Sequence, residues 1–227
     1  MKPSRHGTRS LTFFFVALLI GACASGPPVP DWESNAKTSM DHAVAAYLAG
    51  DTRLADSDFE RARSEIARTG RIDLLGRAEL VRCAARVASL VFEPCEGFEK
   101  LRADAPAAER AYADYLAARV QPQDIALLPP QQRAVAASNL SAENATTALR
   151  GIEDPLSRLV AIGVLFQAGR AHPTAIADAV ETASAQGWRR PLLAWLNVQL
   201  ALAEKAADTG ETARLRRRIG VVQGDKS

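Results

Sequence analysis

The sequence predicts an all-α fold for the part of the chain that follows its N-terminal segment. Alanine, leucine, arginine and glutamate, which are the strongest helix formers, are abundant from Asp31 onward. No segment alternates apolar and polar residues for long enough to indicate a strand. Glycine or proline recurs at intervals of about one helix length, as expected for helices joined by short turns. With 227 residues, 48% of them hydrophobic and 24% charged, the chain is typical of a globular protein of one domain or two small ones.

Glycine and proline place the ends of the predicted helices. Glycine readily adopts the left-handed conformation that closes a helix, whereas proline is favoured in the first turn. The glycines expected to end helices are Gly50, Gly70, Gly151, Gly169 and Gly187, and the prolines expected near helix starts are Pro155, Pro173 and Pro191. The predicted helices cover residues 32–49, 52–69, 72–90, 106–120, 130–139, 141–150, 154–168, 173–186, 190–207 and 210–219.

One pair of predicted helices carries a repeat-like pattern around a short turn. The pattern consists of Ala46, Tyr47, Gly50, Asp51, Ala55, Phe59 and Ala62. It resembles the tetratricopeptide pattern, in which a Gly-Asp turn is followed by alanine, a large aromatic residue and alanine. The resemblance implies two helices that cross closely at the alanines, although His42 and Ala43 stand where that family has leucine and glycine. Two architectures remain open, a tetratricopeptide-like solenoid of antiparallel helical hairpins and a non-repeating, irregular helical bundle.

The helical pattern weakens in the middle of the chain. Proline and glutamine are frequent between residues 122 and 140, which separate a predicted helical lobe at 31–121 from a second at 141–220. This segment is either a hinge between the two lobes or an ordered crossover within one domain. Residues 221–227 are expected to form a flexible tail.

The first 22 residues have the composition of a secretory signal peptide. Lys2, Arg5 and Arg9 are followed by an apolar run from Leu11 to Ile20 and by small residues. This run of about 10 residues is too short for a membrane span, which needs about 20. We therefore expect residues 1–22 to be a removable leader.

The end of this leader is more specific than a general cleavage site. The sequence Leu19-Ile20-Gly21-Ala22-Cys23 resembles the lipobox of bacterial lipoproteins. The resemblance implies a diacylglyceryl group on the Cys23 thiol, cleavage before Cys23 and acylation of the new amino terminus. Cys23 would then be a membrane anchor. The alternative is an ordinary signal peptide, with Cys23 paired or free in the mature protein.

The residues after Cys23 indicate a tether and a location. Residues 23–30 are rich in proline, which favours an extended conformation, so we expect them to hold the helical body away from the bilayer. Ala24 and Ser25 follow Cys23 in place of the aspartate that directs lipoproteins to the inner membrane in the enterobacterial sorting pattern. The resemblance therefore implies the outer membrane, with the protein facing the periplasm.

The charge balance gives no sign of a nucleic-acid partner. The whole chain has 28 basic and 26 acidic residues. Removal of the leader with its three basic residues leaves 25 against 26, a net charge of −1. The mature protein is therefore nearly neutral, and we expect no binding to nucleic acid.

Cys83 and Cys95 are the cysteines of the predicted helical region, and exported proteins enter an oxidising compartment. We predict a disulfide between them. A helix that continued from Cys83 to Phe92 would carry the chain about 13 Å away, too far for the remaining three residues to return. The helix should therefore end near Ser89, with residues 90–92 folding back. The alternative is a pair of buried, inert thiols, and two cysteines without a nearby histidine do not indicate a metal site.

The sequence contains no recognisable catalytic motif, so we predict no catalytic residue and no cofactor. His42 and His172 lie outside any HExxH frame, and we expect them to be solvated or to flank helix starts. There is no GxSxG elbow and no glycine-rich phosphate loop.

The densest aromatic and basic cluster consists of Trp188, Arg189, Arg190 and Trp195. Tryptophan and arginine are frequent in interface hot spots, so this cluster is a candidate for partner binding. The alternative is that the tryptophans pack between helical hairpins.

Together these features favour a membrane-anchored, periplasm-facing scaffold that binds a protein partner in cell-envelope assembly, secretion or maintenance. The alternative is a periplasmic enzyme acting on cell-wall or small-molecule substrates. A deep pocket with two or more carboxylates would favour that enzyme. A third alternative is a structural spacer, which would have neither a pocket nor a concave apolar surface.

Overall fold

The computed structural model describes residues 30–137 and 142–224, and all the regular secondary structure in these ranges is helical, as predicted. The α-helices are α1 (Asp31–Ala49), α2 (Thr52–Ala67), α3 (Ile72–Ala88), α4 (Glu96–Glu99), α5 (Ala107–Leu116), α6 (Pro130–Ala136), α7 (Ala142–Arg150), α8 (Pro155–Gln167), α9 (Pro173–Ala185), α10 (Arg189–Lys205) and α11 (Thr209–Gln223). Short 3₁₀ helices cover Arg102–Asp104 and Pro122–Leu127.

The glycines predicted to end helices do so in the left-handed conformation, with one exception. Gly50, Gly70, Gly169 and Gly187 have positive φ angles, from 66° to 101°, and each lies in the turn after its helix. Gly151 does not adopt a positive φ, so its predicted left-handed role is wrong. α4 and the two 3₁₀ helices were not predicted, because elements of three to six residues are too short to show a hydrophobic period.

The first two helices form a hairpin with its own small core. Ala55, Phe59 and Ala62 of α2 are all buried, and Ala62 is completely inaccessible to solvent. Phe59 lies in a cluster with Ala36 and Ala43 of α1. The alanines thus let the two helices approach closely and the phenylalanine fills the space between them.

The main hydrophobic core joins the two predicted lobes. It contains Phe98 and Tyr115 from the first half of the chain together with Ile162 and Trp195 from the second. Gly163 makes the closest backbone approach, because a Cβ atom there would lie only 2.5 Å from the carbonyl oxygen of Val87. Helices α3 and α8 therefore pack nearly backbone to backbone at the centre of the molecule.

The described part of the 122–140 segment is packed between the two halves. The Tyr115 hydroxyl donates to Gln132 Oε1 at 2.7 Å, and Gln132 Nε2 donates to the carbonyl oxygen of Ser157 at 2.9 Å. Leu128 and Val135 are each 1% exposed. The described residues of this segment thus contact both halves of the chain, while residues 138–140 lie outside the described residues.

A contact between distant helices distinguishes the two predicted architectures. Arg190 Nε of α10 donates to the carbonyl oxygen of Tyr47 at 2.6 Å, and its guanidinium lies 4.2 Å from the centre of the Tyr47 ring. Repeats of a solenoid contact only their neighbours. Here α1 contacts α10, and α3 contacts α8, so helices that are distant in the sequence are neighbours in space. The described residues therefore form a non-repeating bundle of helical hairpins.

At both ends of the chain, some residues are not among those that the structure describes. The predicted signal peptide at 1–22, Cys23 and the tether up to residue 29 are not among the described residues. Helix α11 extends to Gln223, beyond the predicted helix end at residue 219 and into the predicted tail of residues 221–227. Within the described ranges, no helix has the length and apolar composition needed to cross a bilayer.

Candidate functional site

The predicted disulfide between Cys83 and Cys95 is confirmed, with 5.9 Å between the two Cα atoms. Helix α3 ends at Ala88, and Leu90 has a φ of 60°, which turns the chain back. The Val91 amide then donates to the carbonyl oxygen of Arg86 at 2.9 Å. The helix therefore ends early enough for the chain to turn back and bring Cys95 to Cys83.

The disulfide lies between two clefts. The larger, which we call the disulfide cleft, has a volume of about 560 Å³ and is formed by α2, α3, α4 and the loop that contains Cys95. The smaller has a volume of about 420 Å³ and is formed by α3, α5 and the opposite side of the same loop. Both clefts fall within the size range of small-molecule sites.

Glu79 is the most buried charged group of the disulfide cleft. Its side chain is 8% exposed, and Oε1 lies 3.1 Å from Arg63 Nε. The backbone of Gly97 faces this carboxylate so closely that any Cβ atom at position 97 would collide with it. Burial raises the pKa of Glu79 and outweighs the opposing effect of Arg63 and Arg82.

The edge of the disulfide cleft carries charges of both signs. Arg86 pairs with Glu93 at 2.9 Å, and Arg82 pairs with Asp56 at 2.8 Å. Glu96 and Lys100 also line the cleft, and neither forms an ion pair with any described residue. The cleft thus offers exposed charges that are free to contact a ligand.

Three carboxylates, from Glu79, Glu93 and Glu96, line this cleft, which meets the condition that favours the enzyme alternative. Glu93 is held by Arg86, and burial raises the pKa of Glu79.

His42 and His172 lie away from this cleft. His42 is exposed on α1. His172 is exposed immediately before α9, and its Nδ1 lies 3.3 Å from Thr174 Oγ1. Among the residues the structure describes, no three His, Cys, Asp or Glu side chains are grouped so that they would hold a metal ion.

The predicted aromatic and basic cluster is mainly a packing element. Trp195 is fully buried, donates from Nε1 to the carbonyl oxygen of Ala88 at 3.1 Å, and meets the edge of Phe166. It therefore cannot contact a partner, and the packing alternative applies to it. Trp188 packs partly against the main core, and Arg190 is used internally between α10 and α1. Arg189 is the exposed member, with a contact of 3.3 Å to the carbonyl oxygen of Gln223.

A second surface was not predicted from the sequence. The N-terminal halves of α1 and α3 border a groove of about 400 Å³, which we call the N-terminal groove. Its apolar lining consists of Trp32, Ala36, Met40, Ile66, Leu74, Ala78 and Val81. Val81 is the exposed member of this lining, with 37% of its surface accessible. These residues come from three different helices, so no pattern within one helix could indicate the groove.

Comparison with protein families, curated proteins and solved structures found no match to this chain.

The raised pKa of Glu79 predicts a specific dependence of stability on pH. The unfolded chain should lose this proton near the ordinary value of 4.5, whereas the folded protein holds it to a higher pH. The Glu79 contribution to folding stability should therefore fall as pH rises through and above 4.5, and Glu79→Gln should remove this contribution to the fall in stability. Denaturant unfolding of both proteins at several pH values measures the difference.

The matched control is Glu96→Gln, which removes an exposed carboxylate from the same cleft. The difference in unfolding free energy between wild type and this control should change less with pH. A difference between wild type and Glu79→Gln that stayed constant, or that favoured wild type as pH rose, would show that burial does not dominate at Glu79.

Proposed function

We propose that this chain is a lipid-anchored protein facing the periplasm, whose helical body is a docking scaffold for another envelope protein. The anchor rests on the lipobox-like sequence that ends at Cys23 and on the leader before it. Each buried CH₂ group contributes about 0.8 kcal/mol, and one acyl chain alone binds marginally. Two or three chains on Cys23 would attach the protein stably to the membrane.

The tether fixes how far the body extends from the membrane. At about 3 Å per residue, an extended segment from 23 to 29 would keep the first turn of α1 within about 20 Å of the bilayer. Trp32 and Glu33 at the start of α1 line the N-terminal groove. The groove would therefore open close to the membrane surface, within reach of other membrane-attached proteins.

The N-terminal groove is the single observation that best supports the scaffold function. Exposed apolar surfaces in a folded protein often mark protein interaction sites. Trp32 and Met40 from α1 and Leu74 and Val81 from α3 provide such a surface. A purely structural spacer would have no reason to maintain it.

The shape of the groove fits a short amphipathic helix of a partner protein. The lining extends from Trp32 to Met40 on α1, and from Arg71, the residue before α3, to Val81 on α3, which corresponds to about 12 and 15 Å. Apolar anchors at positions i, i+4 and i+7 of a docked helix span about 10 Å. The length of the groove is therefore that of two turns of helix.

The charges at the rim of the groove indicate which charges the partner helix would carry beside its apolar face. Lys37 pairs with Asp41 at 2.5 Å, and Arg71 pairs with Asp73 at 2.6 Å. The charged residues that line the groove itself are Glu33, Lys37, Arg71 and Arg77, so charged residues on either side of the apolar stripe would meet both signs. We infer that the partner presents a helix with an apolar face and mixed charges at its edges.

Site-specific crosslinking tests the groove. A photoreactive side chain at Lys37, which is exposed at the rim, should form an adduct with one envelope protein in intact cells. The Val81→Asp substitution places a charge on the apolar lining and should reduce the adduct at least about tenfold. Immunoblotting of membrane fractions and mass spectrometry of the adduct measure the result.

Leu202→Asp is the matched control, because Leu202 is also an exposed large aliphatic residue but lies on α10 outside the groove. It should leave the adduct unchanged. Recovery of the protein alone after crosslinking, or equal adduct yields from Val81→Asp and wild type, would contradict docking in the N-terminal groove.

A further inference from the structure

The disulfide cleft has the features of a binding site for a small ligand. Its floor is the Glu79 carboxylate, and its walls include Leu75, Pro94, Leu101 and the disulfide. The volume of about 560 Å³ would hold a molecule of one to three amino-acid residues.

Glu79 and Arg63 form an ion pair that leaves a buried donor without a hydrogen bond. Oε1 of Glu79 lies 3.1 Å from Arg63 Nε, and within the described residues the Arg63 Nε atom is buried without a hydrogen-bond partner. Buried polar groups almost always have such partners, and each missing one requires an explanation. A ligand that carries both an acceptor and N–H donors would accept a hydrogen bond from Arg63 Nε and donate to the Glu79 carboxylate.

A second charge of opposite sign faces the same space. Lys100 lines the cleft, is exposed and forms no ion pair with a described residue. Its charge also acts on Glu79, so the two groups belong to one electrostatic environment. The cleft therefore offers a buried acceptor for a cationic group and a free cation for an anionic group.

We propose that the disulfide cleft binds a small zwitterion, an amino acid or short peptide with free termini, through Glu79 and Lys100. The ligand ammonium donates to the Glu79 carboxylate, and the ligand carboxylate pairs with Lys100. Leu75 and Leu101 contact the aliphatic part of the ligand. A side chain at position 97 would displace the Glu79 carboxylate from its present position. This site is separate from the N-terminal groove and does not depend on the proposed scaffold function.

Binding of the dipeptide L-alanyl-L-alanine to the full, oxidised protein in detergent tests the proposal. NMR titration to about 10 mM should shift the amide signals of cleft residues with saturation. N-acetyl-alanyl-alanine lacks the ammonium group, and alanyl-alanine amide lacks the carboxylate. Each should bind at least about tenfold more weakly, because one buried or paired charge is left without its partner.

Substitutions assign the two charged groups. Glu79→Gln and Lys100→Ala should each weaken binding of the dipeptide at least about tenfold. Lys205→Ala, which removes an exposed lysine at the end of α10, should leave it unchanged. Dispersed amide signals in every variant establish that the fold is intact. Absence of saturable shifts in wild type, or equal binding of the dipeptide and its blocked analogues, would overturn the proposal.

Discussion

Replacing Cys23 with serine should abolish incorporation of labelled palmitate and prevent removal of the leader. On the proposed function, the thiol of Cys23 receives the lipid before cleavage, and serine has no thiol to accept it. Loss of two or three acyl chains removes far more binding free energy than the marginal attachment that one chain provides. Metabolic labelling, the apparent mass of the product and membrane fractionation measure these effects.

Ser25→Ala is the matched control, because it changes a neighbouring residue and keeps Cys23. Labelling and processing should be as in wild type. If Cys23→Ser were processed and fractionated normally, the lipid anchor would be refuted. Normal processing with release into the periplasm and no labelling of wild type would instead support the ordinary signal peptide.

Replacing Trp195 with alanine should lower the free energy of unfolding by about 3–5 kcal/mol. The side chain is completely buried and meets Phe166 edge to face, with 5.5 Å between ring centroids. Its indole also satisfies the carbonyl of Ala88, the last residue of α3, which has no partner within that helix. One substitution therefore removes a large apolar volume and a hydrogen bond at the contact between α3, α8 and α10.

Trp195→Phe separates these two contributions. Phenylalanine retains much of the apolar volume but cannot donate to Ala88, so the loss should be smaller than for alanine, about 1–3 kcal/mol. Denaturant unfolding followed by circular dichroism measures both variants. Since whole domains are stable by about 5–15 kcal/mol, the alanine variant should lose a large fraction of its stability. A loss below about 1 kcal/mol for Trp195→Ala would show that Trp195 does not join the two halves of the core.

Local features of the fold could be predicted because their causes are local. Gly50 ends α1, and Asp154 caps α8 by accepting from the Ser157 amide at 2.7 Å. The end of α3 at Ala88 follows from the short reach of the chain between Cys83 and Cys95, if the two are to form a disulfide. In each case the physical constraint acts within about a dozen residues, so the sequence contains it completely.

Other features depend on residues that are distant in the chain. Arg190 resembles an exposed basic residue in the sequence, but in the fold it joins α10 to Tyr47 of α1. Gly163 lies within a helical pattern, where its requirement for close packing depends on Val87. No periodicity within one helix reveals either contact, which is why the bundle could not be distinguished from a solenoid.

The candidate sites were the least predictable part of the molecule. Glu79 looks like one of many solvated acids on a helix, and its burial depends on the close approach of Gly97 from another element. The N-terminal groove exists because no described element covers the apolar residues between α1 and α3. Both features depend on how helices are arranged in space, whereas helix boundaries depend on neighbouring residues.

Mass spectrometry of the amino-terminal peptide of the protein purified from membranes would identify the lipid attached to Cys23. We expect this peptide to begin at Cys23 and to carry a diacylglyceryl group on sulfur, with or without a further acyl chain on the amine. An unmodified peptide, or one that begins at another residue, would mean that the helical body is not held at a membrane through Cys23.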